Sequence, residues 1–416
     1  MDTLPLFTTA KERFYFVLVY SFIFIFNIYS YFQDYKSFVD EEVYRSKATI
    51  LNIYDKQTYK ILKLKTDKFI CFTSIPKKLD PKIWQEIDLY LVTKNISFYE
   101  YLKGFYTKNF NLVLLNETNS IKKTIYSNIE SQHQNRDIAS LYNALFLATN
   151  ISSDLRDVVS LYGVSHLVAI SGFHLGVISF IVYLILNIFY KPLHQRYMPY
   201  RNKRYDIFVV TSILLLFYLI FLDNVPSLLR AFSMFILAFI FLRSNIKVVS
   251  FETLFIVTII IISIFPKLLF SISLWLSVIG VFYIFLFIKY FSNLNKYLKI
   301  FIFNFWIFFA INPIVHFIFD TTSLEQLLSP LITLLFTLFY PIAFISHLVG
   351  YGDLFDPFLI DILNMPYHIY HFATPIYFLV PYILISIFSI YNKRIFYLLN
   401  ILLILFNFFL YLPISI

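Results

Sequence analysis

Ser165-His-Leu-Val-Ala-Ile-Ser-Gly-Phe-His-Leu-Gly176-Val-Ile-Ser-Phe-Ile-Val-Tyr-Leu-Ile-Leu-Asn-Ile-Phe-Tyr190 runs without one Asp, Glu, Lys or Arg. A membrane-spanning helix needs about 20 mostly apolar residues. This stretch is long enough, and it is one of many. Similar segments lie near 205–222, 225–242, 250–265, 269–288, 300–319, 327–349, 374–391 and 395–412, with an earlier one at Phe14–Phe32. The whole chain of 416 residues is 59% hydrophobic and only 14% charged, against about a quarter charged in soluble domains. Aromatics make up 21%, which excludes a disordered chain, since those are poor in aromatics. The fold class is therefore mainly α, a polytopic helical membrane protein of about 10 hydrophobic segments.

The segment at Phe14–Phe32 is too long for a signal peptide and has no small-residue cleavage site after it. It reads as a retained anchor over residues 1–33. Lys11 and Arg13 precede it and place the N-terminus in the cytoplasm. From residue 34 to about 150 the composition turns polar. Lys60-Ile-Leu-Lys-Leu-Lys65 and Asp88-Leu-Tyr-Leu91 alternate with period two, as half-buried strands do. After Asn119 the spacing of Ile138, Leu141, Tyr142 and Leu145 becomes helical. The expected organisation is a β-rich domain at 34–118, an amphipathic helical connector at 119–164 and a multi-helix transmembrane domain at 165–416. The insert 34–150 then lies outside, opposite the N-terminus.

Basic loops orient the rest. Lys191, Arg196, Arg201, Lys203 and Arg204 fall inside, Asp223-Asn224 outside, and Arg243 with Lys247 inside again, as do Lys289, Lys296 and Lys299. Simple counting then puts Lys393-Arg394 outside. One repair makes Leu327–Val349, interrupted by Pro330 and Pro341, a re-entrant hairpin. Asp353, Asp356, Asp361, Asn364, His368 and His371 fall on one side of a helix wheel, which predicts a helix lying in the membrane interface over 352–373.

Three of the chain's seven glycines lie in Leu161–Gly176. Gly172 and Gly176 form a small-xxx-small pair that lets another helix approach. Ser171-Gly172 is also a place where the helix would open and free backbone groups. As one unbroken span, at about 1.5 Å per residue, it puts His174 near the bilayer middle and His166 near the outer surface. Ionisable groups at such depth are functional candidates. A packed helix pair with a hydrogen-bonded histidine explains the same pattern. Arg230 is the only charge between Asn224 and Leu242, and its planar five-donor head suits phosphate or carboxylate. Pairing with Asp223, or snorkelling outward, is the structural alternative. His316, His347 and His368-Ile-Tyr-His371 are weaker candidates. No His-Glu-x-x-His and no phosphate-binding Gly-x-x-x-x-Gly-Lys-[Ser/Thr] loop occurs, so neither a zincin-type protease nor ATP hydrolysis at such a loop is expected. The single Cys71 excludes an intrachain disulfide. No cofactor and no catalytic residue is assigned.

His166-Leu-Val-Ala-Ile-Ser-Gly-Phe-His-Leu-Gly176 closely resembles the signature of the ComEC competence proteins. Arg230-Ala231, Arg243, Pro266, Leu274-Trp275-Leu-Ser277, Pro313, His316-Phe317, Ser329-Pro330 and Pro341 continue the resemblance in order, over about 141–341. It implies an inner-membrane channel that passes single-stranded DNA inward during natural transformation. His166, Ser171, Gly172, His174, Gly176 and Arg230 would line the path, with Trp275, Ser277, His316 and Phe317 as a second tier. It implies an OB-like barrel for the insert, which would face the periplasm. It also implies a ComEA-like DNA receptor, a cytoplasmic ATPase motor, the surrounding lipid and, as one arrangement, a homo-oligomer as partners. Relatives often carry two cysteines in the insert, where this chain has Cys71 alone. They often have a Gly-Asp-like pair where Ala148-Thr149-Asn150 stands here. Many end in a metallo-β-lactamase-like domain, whereas here the sequence closes on an apolar helix at Ile416, so no nuclease is expected in this polypeptide. Two rival classes stay open on the residues alone. One is an intramembrane enzyme using His166, His174 and His316 as metal or acid–base groups, and the other a transporter of another anionic solute.

Overall fold

The computed structural model describes residues 7, 9–115, 121–223, 225–244, 249–365 and 369–412. Asn224, Lys247 and His368 lie outside the described residues. The chain forms two compact units, 1–128 with 255–274, and 129–254 with 275–416.

The first unit starts with α1 (Ala10–Val39). Thr9 and Glu12 cap its first turn reciprocally, which fixes where the helix begins. The helix continues past residue 33, because Phe38 enters the core of the following sheet. That sheet comprises β1 (Val43–Asp55), β2 (Tyr59–Lys65), β3 (Ile70–Pro76) and β4 (Glu86–Val92). A short α2 (Phe98–Lys103) then leads into β5 (Phe105–Tyr106) and β6 (Asn109–Leu114). The order is β5-β3-β2-β1-β4-β6. β5 and β6 are consecutive parts of one run, so the two edges are joined by the chain itself. β5 pairs parallel with β3 and β6 antiparallel with β4. Five strand-lengths thus close on one another, the geometry of an OB-like barrel. Period-two alternation turns Ala48, Ile50, Leu62, Leu64, Cys71, Ile75, Ile87, Leu89 and Leu91 inward. Each large apolar side chain buried this way contributes about 1.5–3 kcal/mol.

Helix α3 (Ile121–Ser131) follows the barrel. The same unit takes in most of α10 (Phe251–Ile264) and the 3-10 turn Pro266–Phe270. Asn27 of α1 donates to the Ser263 carbonyl at 2.8 Å. Lys267 donates to the Lys68 carbonyl at 2.8 Å and lies over the Tyr31 ring at 4.4 Å. Burial pushes its ammonium below the usual lysine range, with Asp34 opposing in part.

The second unit opens with α4 (Arg136–Leu147), α5 (Ser153–Leu161) and the four-residue α6 (Ser165–Val168). Long apolar helices follow: α7 (Gly172–Tyr197), α8 (Lys203–Phe221) and α9 (Pro226–Arg243). Beyond α10 come α11 (Ile272–Tyr290) and α12 (Lys296–Ile318). After β7 (Thr321–Thr322) the chain makes a 3-10 turn at Leu324–Leu328 and enters α13 (Ser329–Val349). Then come α14 (Asp356–Leu363), β8 (Tyr370–His371), α15 (Ile376–Phe388) and α16 (Lys393–Tyr411). Tyr283, Leu286, Phe287, Trp306, Ala310 and Tyr382 form the core of α11, α12, α15 and α16. Among the described residues seven helices are long and apolar enough to cross a membrane. Each apolar segment anticipated from the sequence lies largely within one of the longer apolar helices, and the chain is a multi-pass membrane protein.

Three expectations are corrected. The re-entrant hairpin does not form: α13 runs unbroken from Ser329 to Val349. Pro330 sits in its first turn, where the missing N–H has no partner to lose, and Pro341 is carried inside the helix. The interfacial helix over 352–373 is not continuous either. A 3-10 turn, the eight-residue α14 and the strand β8 replace it. Its polar arc is split: Asp356 is buried against His133, while His371 lies 3.3 Å from Asp320. Finally, 165–190 is not one span, because the helix ends at Val168 and restarts at Gly172.

Candidate functional site

The break at 169–171 follows from Ser171. Its extended backbone ends the preceding turn, and its hydroxyl accepts from the Phe173 N–H at 3.3 Å. Its own N–H donates to Nδ1 of His174 at 3.2 Å. His174 thus stands where a capping box usually has Glu. It occupies the first turn of α7 rather than the middle of a span. Nδ1 accepts there, so the ring proton belongs on Nε2. His174 is fully buried, and Nε2 has no hydrogen-bond partner among the described residues. The ring meets Tyr340 edge-on at 4.6 Å between centroids and Phe336 at 5.7 Å. The Tyr340 hydroxyl is likewise buried without a partner among the described residues.

Gly172 faces α9, where a methyl added to it would lie 3.7 Å from the Ala231 side chain. The neighbouring Arg230 is buried at 6% exposure. Gly176 faces open space, with nothing within 4 Å of an added methyl. The small-xxx-small pair therefore does not seat a helix within this unit. Only its first glycine makes a contact.

The residues before the break hang on one face of the 3-10 turn and α13. Ser323 donates to the Leu161 carbonyl at 2.5 Å, Gln326 Nε2 to Ser160 at 3.3 Å and Ser329 to Gly163 at 3.0 Å. Gly163 has φ of +65°, and an added methyl would lie 3.4 Å from both Gln326 and Ser329. That left-handed conformation favours glycine. Next along the face, Thr333 lies 3.4 Å from Nε2 of His166, whose Nδ1 is 3.2 Å from the Gly163 carbonyl. Phe336 and Tyr340 then meet His174. Residues 323, 326, 329, 333, 336 and 340 recur at steps of three and four, the spacing of a single helix face.

His316 belongs to a separate network. It is 2% exposed, and its Nδ1 donates to the Asn312 carbonyl at 3.0 Å. Asn312 donates to Asn407 at 2.7 Å and to the Tyr411 hydroxyl at 3.1 Å. Tyr411 in turn donates to Oε1 of Gln326 at 3.3 Å. Gln326 is the hub between this network and the signature stretch. Sequence reasoning missed Gln326, Asn312, Asn407 and Tyr411. The available signal was amide side chains inside otherwise apolar segments, which usually bond across helices. Trp275 and Phe317 are exposed, and Ser277 is half-buried. His166, His174 and His316 do not converge on one point. No group of three or more His, Cys, Asp or Glu among the described residues is arranged to hold a metal ion.

The competence protein family matches residues 148–413, well over half the chain, and the match takes in every residue of these networks. No curated protein matches the chain, and no solved structure does. A multi-pass membrane chain matched over this length, signature stretch included, belongs to the competence protein family, and its role lies in DNA uptake.

Proposed function

We propose that the protein is the inner-membrane channel through which single-stranded DNA reaches the cytoplasm, with the N-terminus cytoplasmic and the barrel periplasmic. The observation that carries this reading is the broken α6–α7 segment inside an apolar unit, with the stretch that leads into it held by Ser323, Gln326, Ser329 and Thr333 along one face of the 3-10 turn and α13. Interrupted helices and polar faces at such positions suit a water-filled path for a polar substrate. A phosphodiester brings one negative charge per nucleotide into a low-dielectric layer, so a cation beside the path lowers the barrier. Arg230 next to the Gly172–Ala231 contact would hold phosphate, while Ser171 and His174 offer donors. The barrel suits the same substrate. Lys63 of β2, Phe72 of β3 and Tyr106 of β5 are register neighbours, a cation beside two rings on which bases would stack. The chain carries no phosphate-binding loop, so a cytoplasmic ATPase would supply the work and a ComEA-like receptor the DNA. The protein then acts as a conduit and not as an enzyme. The separation of His316 from His166 and His174 argues against a three-histidine catalytic centre.

The test is a deletion strain given fluorescent duplex DNA that carries a selectable marker. Nuclease-protected DNA accumulating at the envelope while transformants vanish supports the channel, and His174→Ala and Arg230→Ala alleles should then rescue poorly. Transformants at normal frequency in the deletion strain would refute it.

A further inference from the structure

The face of α13 that holds the signature stretch ends on a second cluster, which the uptake reading does not use. His133 lies in the turn between α3 and α4, its side chain wholly buried. Its Nδ1 stands 2.9 and 3.0 Å from the two carboxylate oxygens of Asp356, at the start of α14. Its Nε2 stands 3.0 Å from Nε2 of His347, in the last turn of α13. His347 Nδ1 is 2.6 Å from the Ala343 carbonyl of its own helix. Tyr142 of α4 stacks on the His133 ring at 4.7 Å and 10°, and its centroid lies 4.3 Å from that of His347.

The protons of this row can be counted. The contact between Asp356 and His133 needs one, the contact between the two Nε2 atoms needs one, and the contact between His347 and the Ala343 carbonyl needs one. A carboxylate and two neutral imidazoles bring only two. Without a third, two lone pairs face each other at 3.0 Å in a buried site, where the repulsion is barely screened. With it, 3.0 Å is an ordinary N–H···N length. The carboxylate balances the added charge, and the stacked face of Tyr142 favours a cationic ring. A metal ion held by both Nε2 atoms at about 2.0–2.1 Å would still need further ligands. Asp356 is on the other side of the His133 ring, at Nδ1, and among the described residues no group of three or more His, Cys, Asp or Glu is arranged to hold a metal ion.

We propose that Asp356, His133 and His347 form a proton-binding site, and that the bound proton latches the α3–α4 turn and α14 onto the end of α13. Gln132 reinforces the same junction: it accepts the Gly352 N–H at 2.9 Å and donates to the His347 carbonyl at 3.3 Å. The groups facing the pair are Asp356 from α14, Tyr142 and the uncharged Phe146 from α4, and the uncharged Gly352 from the turn before α14. Arg136 and Asp137, which open α4, Asp353, in the turn before α14, and Asp361, further along α14, are the other charged groups on those elements. Above the ordinary imidazole range the opened site holds no ring proton, whereas the closed site holds one. Closure is therefore strong near neutral pH and weakens as pH rises. The latch does not depend on the DNA-channel reading, and its test does not involve DNA.

The experiment is hydrogen exchange on the full chain in nanodiscs between pH 7 and 9, corrected for base catalysis, with 15N histidine spectra of the same sample. The opening equilibrium of amides 133–139 and 351–358 should rise up to about tenfold per pH unit, as release of one proton requires. The spectra should show one imidazolium at pH 7 that Asp356→Asn removes, with the same amides already open at pH 7 in that variant and α12 still protected. PH-independent opening, or neutral spectra for all eight histidines at pH 7, would overturn the proposal. So would a stoichiometric transition metal in the purified protein whose chelation opens the same amides.

Discussion

Gly352 and Gly176 look equivalent as glycines, yet the fold treats them oppositely. A methyl at Gly352 would lie 2.5 Å from Oε1 of Gln132 and 2.9 Å from Cδ2 and Nε2 of His347. Neither neighbour is a loose side-chain end. Gln132 is bonded at both ends of its amide, and His347 is fixed by Ala343 on one side and His133 on the other. Gly352→Ala must therefore displace at least one of them. Overpacking a tight site costs about 1–3 kcal/mol, and each buried hydrogen bond lost adds about 1 kcal/mol, so the expected loss is about 2–4 kcal/mol. Gly176→Ala meets nothing within 4 Å and sits inside α7, where alanine is the better helix former by about 0.8–1 kcal/mol. Thermal unfolding of both variants in one detergent, followed by intrinsic fluorescence, compares them directly. Gly352→Ala should melt several degrees below the parent and Gly176→Ala at or above it. A Gly176→Ala protein less stable than Gly352→Ala would sink the reasoning and restore the small-xxx-small reading of the sequence.

Three shorter predictions follow from the same geometry. Burial pushes the Cys71 thiol up to about 12, so maleimide should label the folded barrel far more slowly than the unfolded chain at pH 8; labelling at the rate of a free cysteine would show that the barrel core is open. Ser171→Ala removes the acceptor for the Phe173 N–H and should cost about 1 kcal/mol in unfolding, whereas Ser171→Asp keeps a cap; equal losses for the two would mean that the hydroxyl is not the cap. Asn407→Leu leaves the buried Asn312 short of a partner and should cost about 1–3 kcal/mol, while the double variant with Asn312→Leu should be the more stable of the two; strictly additive losses would deny the pairing.

The sequence made the helices legible because each segment carries enough apolar residues to be read alone. The strands were legible for the same reason. Lys60–Lys65 alternates within β2, and Asp88–Leu91 within β4. What stayed hidden depends on partners distant in the chain. Periodicity says that a face is polar, not which face it meets, so the arc through Asp356 looked like an interfacial helix. Its carboxylate instead meets His133, 223 positions earlier. Pro341 looked like a break because proline removes a helix hydrogen bond, yet packing carries α13 through it. Ser171 was read as a point where the helix could open, and that is where it opens. The cap that explains it required seeing His174 as its partner.

Helix α13 joins these observations. One face of the turn and helix runs from Ser323 and Gln326, through Thr333 and Tyr340, to His347. The signature stretch is pinned to its first half and the His133–Asp356 cluster to its last turn. His347 is seven residues from Tyr340, about 10 Å along the axis. A packed helix shifts as a body rather than bending at each contact, so release at one end should be felt at the other. Cys71 is buried, which leaves room for a single reporter thiol. Thr333→Cys, half-buried beside His166, should label faster when combined with Asp356→Asn than alone, and faster at pH 9 than at pH 7 after correction for thiolate content. If the labelling rate ignores Asp356 while the amides around His133 open, the two ends of α13 are independent. The cluster would then govern only its own corner of the fold.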